Sequence, residues 1–419
     1  MLTGLFTTSA QSLRPQLNGN EMKKNLILCS FIIIALTGVN ANERYFDYIL
    51  NSPDYFQADD SLYPMVKKQT YHIVLAFPYE LGQIFNEDYR QSTFSRTSLD
   101  FYQGMICAAE NFNNNSLPFT LNIHVVDIPA EDKLTEANIS AIRQYEPDLI
   151  ICHLSNYNSD DFLKLSTSLK STLISPFYAD ENQLQNNPWF ITLKSSEKIT
   201  KSIISKFIYK NYSSKNLILL CHSAPQLDEF TMIIKKSGTV SKLKNFSGYV
   251  VTASNWSSTE YTTLLEDSNL IVTDIQNDMV AINSILSNLT RQNGNHSQLM
   301  APYSWLNYPA VDLNFLDLLN TIFYTEPVIN YADSTNADFI LTYREKFNAE
   351  PGEFSFRGFK ILTYLIRSLE QEGKYIQRNS SNEMIPLIKD AGDKGFQNNR
   401  LDFYQINEHQ LIWIGSEKD

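Results

Sequence analysis

The sequence predicts an α/β protein of two Rossmann-like lobes with mostly parallel sheets. Three observations predict it. Apolar strands alternate with amphipathic helices along most of the chain. The alternation breaks near 182–196, around Asn186-Asn187-Pro188-Trp189-Phe190, and then starts afresh. At 419 residues the chain is also longer than one hydrophobic core usually organises.

The first run opens at 71–77, Tyr-His-Ile-Val-Leu-Ala-Phe, a short apolar stretch stopped by Pro78 and therefore a buried strand. A helix over 97–113 follows. Its Leu99, Tyr102, Ile106, Ala109 and Phe112 recur at spacings of three and four, which puts them on one face. The loop 78–97 is long for such a connection and reads as a rim at the strand's carboxyl end, where α/β folds place ligands. Its Tyr79, Glu80 and Tyr89 are candidate contacts. A strand at 121–126, a helix at 130–144, a strand at 148–152, a helix at 160–169 and a strand at 171–175 complete the run.

The second run begins with a helix at 197–212 that places Ile199, Ile203, Phe207 and Ile208 on one side. Strands at 216–221, 248–253, 269–274 and 298–301 alternate with helices at 226–236, 258–266 and 278–292. Residues 321–332 read as a strand that crosses back. Helices at 337–347 and 356–372 follow, the second capped by Gly373. The tail alternates as a hairpin over 401–414. We therefore expect 70–190 and 333–374 to form lobe 1, and 191–332 and 375–419 to form lobe 2.

The first 69 residues read differently. Met22-Lys23-Lys24 is a basic start, 26–36 is an apolar run of signal-peptide length, and Val39-Asn40-Ala41 supplies small residues at a cleavage site. The expectation is an upstream extension at 1–21, a signal peptide at 22–41 and a linker at 42–69. The alternative is a leader retained as an anchor. Export would place the protein in the periplasm, with no membrane span after cleavage. The net charge of −12 has no basic block, which argues against nucleic acid as a partner. Three cysteines outside the leader, Cys107, Cys152 and Cys221, are too few and odd in number for a disulfide framework.

Local motifs carry a resemblance. Phe101-Tyr102-Gln103-Gly104-Met105, continuing to Ala108-Ala109-Glu110-Asn111, is similar to the first helix of the type I periplasmic binding proteins, the leucine/isoleucine/valine-binding kind. Phe347-Asn348-Ala349-Glu350-Pro351 with Phe356-Arg357-Gly358-Phe359-Lys360 resembles that family's turn and helix near the end of lobe 1, with Phe359-Lys360 where Tyr-Asp is usual. The texture of 71–78, 302–308 and 324–359 is closest to a Bacteroidetes group often fused to LysM repeats, although no such repeat is visible here.

The resemblance implies the type I periplasmic-binding-protein fold with hinge crossings, and a cleft lined by strand ends from both lobes that closes on a small molecule. It implies ligand-holding loops at Ser155 and Asn156 and at Phe177 and Tyr178. The first loop opens with Cys152-His153 where the family has Gly-Pro. The second has Phe177 and Tyr178 where the family is rich in hydroxyls. Both departures move the site away from plain amino-acid recognition.

Further candidates come from the residues themselves. Strands 149–152 and 217–221 each end in Cys-His, Cys152-His153 and Cys221-His222, which would face one cleft. A metal pair and two buried strand cysteines with neighbouring loop histidines are the alternatives, and burial is the favoured reading. His222 is thus a candidate contact. Asp274 and Asp278 either face the cleft and read an ammonium or cap the helix after them. Trp305, with Tyr303 and Tyr308, forms either an aromatic wall or lobe packing. Neither a catalytic motif nor a cofactor motif is present, so no enzyme activity and no cofactor are expected. The expected activity is capture of a small polar ligand, with delivery to an ABC-type transporter as its use. The alternative is a cell-envelope scaffold or regulator that binds a protein or peptidoglycan partner.

Overall fold

The computed structural model describes residues 63–83, 90–113, 117–178, 184, 187–237, 243, 245–251, 268–293, 297–326, 336–376, 386–389 and 395–418. The leader and most of the linker, Tyr89, and the expected helix at 258–266 lie outside the described residues.

Two seven-stranded sheets form the two lobes. In the first, β1 (Thr70–Phe77) lies between β2 (Thr120–Asp127) and β3 (Leu149–Cys152), followed by β4 (Thr172–Ser175) and β5 (Phe190–Thr192). All these pairs are parallel. β3, β4 and β5 are buried at every position, as strands covered by helices on both faces must be. The covering helices include α1 (Thr93–Asn113), α2 (Glu136–Arg143) and α3 (Ser159–Leu169).

The second sheet repeats the plan with β6 (Asn216–Cys221) between β7 (Phe246–Val250) and β8 (Asn269–Thr273), then β9 (Ser297–Pro302) and β10 (Ile322–Thr325). Its helices are α4 (Glu197–Asn211), α5 (Ala224–Lys236), α6 (Met279–Asn293) and α7 (Leu313–Leu318). The chain then returns to the first lobe through α8 (Ala337–Phe347) and α9 (Glu353–Glu372). α9 packs along α1 through two glycines. A Cβ on Gly104 would run into the Ser355 carbonyl, and one on Gly358 into the Phe101 carbonyl.

The tail corrects one expectation. Residues 375–419 do not all join the second lobe. β11 (Leu387–Lys389) and β12 (Phe396–Asn398) extend the first sheet beside β5, and only β13 (Arg400–Asn407) and β14 (Gln410–Lys418) join the second. The reason is burial. Leu387 and Phe396 sit in the first lobe's core with Tyr63, Trp189 and Ile191, and Gly395 lets the chain pass under the Phe190 carbonyl. Helix 130–144 also shortens at its start, because Thr135 and Asn138 form a reciprocal capping box that begins α2 at Glu136.

The backbone passes between the sheets after Thr192, after Thr325 and after Asn398. The first and third passages are stitched together. The Ser196 N–H donates to Gln397 Oε1 at 3.1 Å, and Asn398 Nδ2 donates to Ser195 Oγ at 3.3 Å. All four residues are buried.

Candidate functional site

Parallel strands end on one side of a sheet, so the loops after β6, β8, β9 and β10 converge. They enclose a cavity of about 460 Å³ together with the hinge residues Lys194 and Ser195 and the first turns of α9. Its lining is mostly polar. The second lobe contributes Lys201, His222, Asp274, Tyr303, Ser304 and Tyr324, and α9 of the first lobe contributes Glu353 and Arg357.

The charged groups are organised around Lys201. α4 points this lysine inward, where its side chain is only 3% exposed. Its ammonium bonds Glu229 and stands 3.7 Å from Glu197 and 3.9 Å from Asp274. Burial alone would lower its pKa. The Glu229 hydrogen bond and the three negative charges outweigh burial and hold it above the ordinary lysine value.

Asp274 follows the last residue of β8. Burial pushes its carboxyl above the usual carboxylate range, against the pull of Lys201 and the adjacent Cys221 thiol. Its Oδ1 is buried without a hydrogen-bond donor among the described residues, and the hydroxyl of Ser304, another lining residue, is buried without a partner among them. Behind them, the Tyr324 hydroxyl donates to the Thr273 carbonyl at 3.0 Å and fixes the end of β8. At the mouth, Arg357 Nη2 lies 2.8 Å from Glu353 on its own helix and 4.0 Å from Glu326 of the second lobe.

The structure distributes the sequence-derived candidates among three places. His222 and Asp274 line the cavity. His222 is half exposed, with Nδ1 3.7 Å from Asp278. Asp278 is the cap of α6, since its Oδ1 accepts the Ala281 N–H at 3.0 Å. Ser155, Asn156 and Tyr178 gather instead at the ends of β3 and β4. There the Tyr178 hydroxyl donates to Asn156 Oδ1, and Ser155 is folded into a local turn with Tyr157 and Asn158.

Phe177 and Tyr79 belong to the aromatic packing beneath that cluster. Phe177 contacts Phe77, Phe101 and Phe354, and Tyr79 contacts Phe77 and Tyr102. None of these five lines the cavity. Trp305 offers no wall to it either, because it is fully buried. Its indole N–H donates to the Ile275 carbonyl at 2.8 Å and pins the loop that carries Asp274. Cys152 and Cys221 are buried free thiols in different sheets.

Sequence reasoning missed Lys201 and the Arg357–Glu353 pair. The spacing of Glu197 and Lys201 signals only a helical i,i+4 pair. The other partners, Glu229 and Asp274, meet Lys201 through the fold.

No family model matches this sequence, and no curated relative does. Similarity to solved structures is extensive. A branched-chain amino acid ABC transporter protein from Rhodospirillum rubrum superposes with a TM-score of 0.60 at 11% identity, over 82% of this chain and 99% of its own. A branched-chain amino acid ABC transporter periplasmic ligand-binding protein from Burkholderia xenovorans gives 0.57 at 11% identity, over 83% and 95%. An ABC transporter substrate-binding protein from Desulfitobacterium hafniense gives 0.55 at 11% identity, over 82% and 100%. At such identities the likeness is one of fold, and the fold is that of the type I periplasmic binding proteins.

Proposed function

We propose that this protein is an exported solute-binding receptor that captures a small polar ligand between its lobes, for delivery to an ABC-type transporter. One observation carries the reading. A polar cavity of ligand size sits where the strand ends of one lobe meet a helix of the other, and it contains a shielded Asp274 oxygen with no donor among the described residues. A buried acceptor left without a donor costs about 1–3 kcal/mol, and a ligand donor would recover that. The leader pattern at 22–41 supports export. His222 and Asp274 are the proposed contacts, with Lys201, Ser304 and Arg357 beside them.

A second reading is favoured by the first lobe. Tyr178 donates to Asn156, the Ser155 hydroxyl accepts the Tyr157 N–H, and none of the three lines the cavity. A scaffold of the cell envelope that binds a protein or peptidoglycan partner would need no more. A thermal-shift screen with amino acids, amines, short peptides, sugars and muropeptides separates the two. A receptor should melt about 2.7 kcal/mol more stable with a ligand at a hundred times its Kd. A flat screen, with recovery of an envelope protein in pull-downs, would reject the receptor.

A further inference from the structure

We infer that the cavity selects a small organic cation, an amine recognised through its ammonium group without a carboxylate being required. The inference rests on the receptor reading and names its ligand class.

The cavity's charges carry it. The lining presents four carboxylates, on Glu197, Asp274, Glu326 and Glu353, against three cations, on Lys194, Lys201 and Arg357. Two of those cations are already engaged. Lys201 is held by three acids, and Arg357 is held by Glu353 with Glu326 nearby. At Lys201 and Arg357 a ligand carboxylate would have to compete with acids already in place. Asp274 Oδ1 and Ser304 Oγ, on two residues of the lining, both lack a partner among the described residues, and an ammonium that reached them would supply the missing donor.

The two orphan atoms belong to different loops, after β8 and after β9. An ammonium has three hydrogens to give and accepts nothing, which suits acceptors of this kind. The hydroxyl and amide loop that could cradle a carboxylate, at Ser155 and Asn156, lies outside the lining of this cavity.

Isothermal titration of the full chain with putrescine, L-lysine, L-leucine and L-glutamate tests this. Putrescine and L-lysine should bind at least tenfold more tightly than L-leucine and L-glutamate. Asp274→Asn should weaken putrescine by tenfold or more while circular dichroism stays that of the parent. Should that variant misfold, Glu326→Gln gives the second measure. It removes a lining carboxylate that follows β10 and should weaken putrescine about threefold. If L-leucine or L-glutamate binds and putrescine does not, the cation inference falls and the receptor stands. The inference falls too if putrescine binds equally to the parent and to a folded variant. If no solute of the wider thermal-shift panel binds, the receptor and the inference fall together.

Discussion

At the scale of single residues, Asp274 and Lys201 carry opposite accounts. Lys201 is a buried cation whose acids more than offset its desolvation. Asp274 is a partly buried carboxylate whose single near cation does not. The folded protein therefore holds Asp274 above its ordinary value of 3.8, and the unfolded chain gives up that proton first. The stability that goes with the protonated form is fully present below pH 3.8. It is lost as pH rises through the folded value. Asp274→Asn should melt higher than the parent at pH 7, by about 2 °C, and the difference should vanish in acid. A variant that melts lower at pH 7 would mean that the contact with Lys201 outweighs burial. If the variant melts higher, the same side chain is a cost to folding that binding recovers, which is how functional sites commonly store instability.

At the scale of elements, the crossing of α1 and α9 sets the first lobe. Gly104 and Gly358 let the two helix backbones approach until each glycine touches the other helix's main chain. Backbone cannot rotate aside as a side chain can. Gly358→Ala should therefore cost roughly 1–3 kcal/mol in urea unfolding. A change within 0.5 kcal/mol, about what neutral surface substitutions show, would place slack at this crossing. The strong elements were legible in the sequence because six or more residues carry one pattern. The strand expected at 71–77 lies within β1, and the one at 216–221 coincides with β6. The short elements were not legible. β5, β11 and β12 have three residues each, too few for any period to show, and they exist because neighbouring strands supply their hydrogen bonds. The same brevity hid the tail's allegiance to the first sheet.

At the scale of the whole molecule, polar links join the lobes among the described residues. The hinge is stitched by Gln397 and Asn398 to Ser195 and Ser196, and Arg357 reaches from α9 toward Glu326. At 4.0 Å, partly open to solvent, that ion pair is worth less than about 1 kcal/mol. Its effect should be on shape more than on stability. Arg357→Gln should widen the unliganded molecule, seen as a larger radius of gyration in solution scattering, with melting changed by less than about 3 °C. An unchanged scattering profile would show that the stitched hinge alone sets the opening.

The sequence by itself determined the two α/β lobes, the parallel sheets and the end of each strand where a ligand belongs, because those follow from local periodicity and from residues that punctuate it. It also pointed to His222 and Asp274, which stand directly after strands. Only the tertiary structure decided which strand ends meet. It withdrew Trp305 into the core, tied Asn156 to Tyr178, and brought Lys201, Glu229 and Asp274 together from three separate elements. Those meetings depend on side chains far apart in the chain, and no pattern within a helix or a strand encodes them.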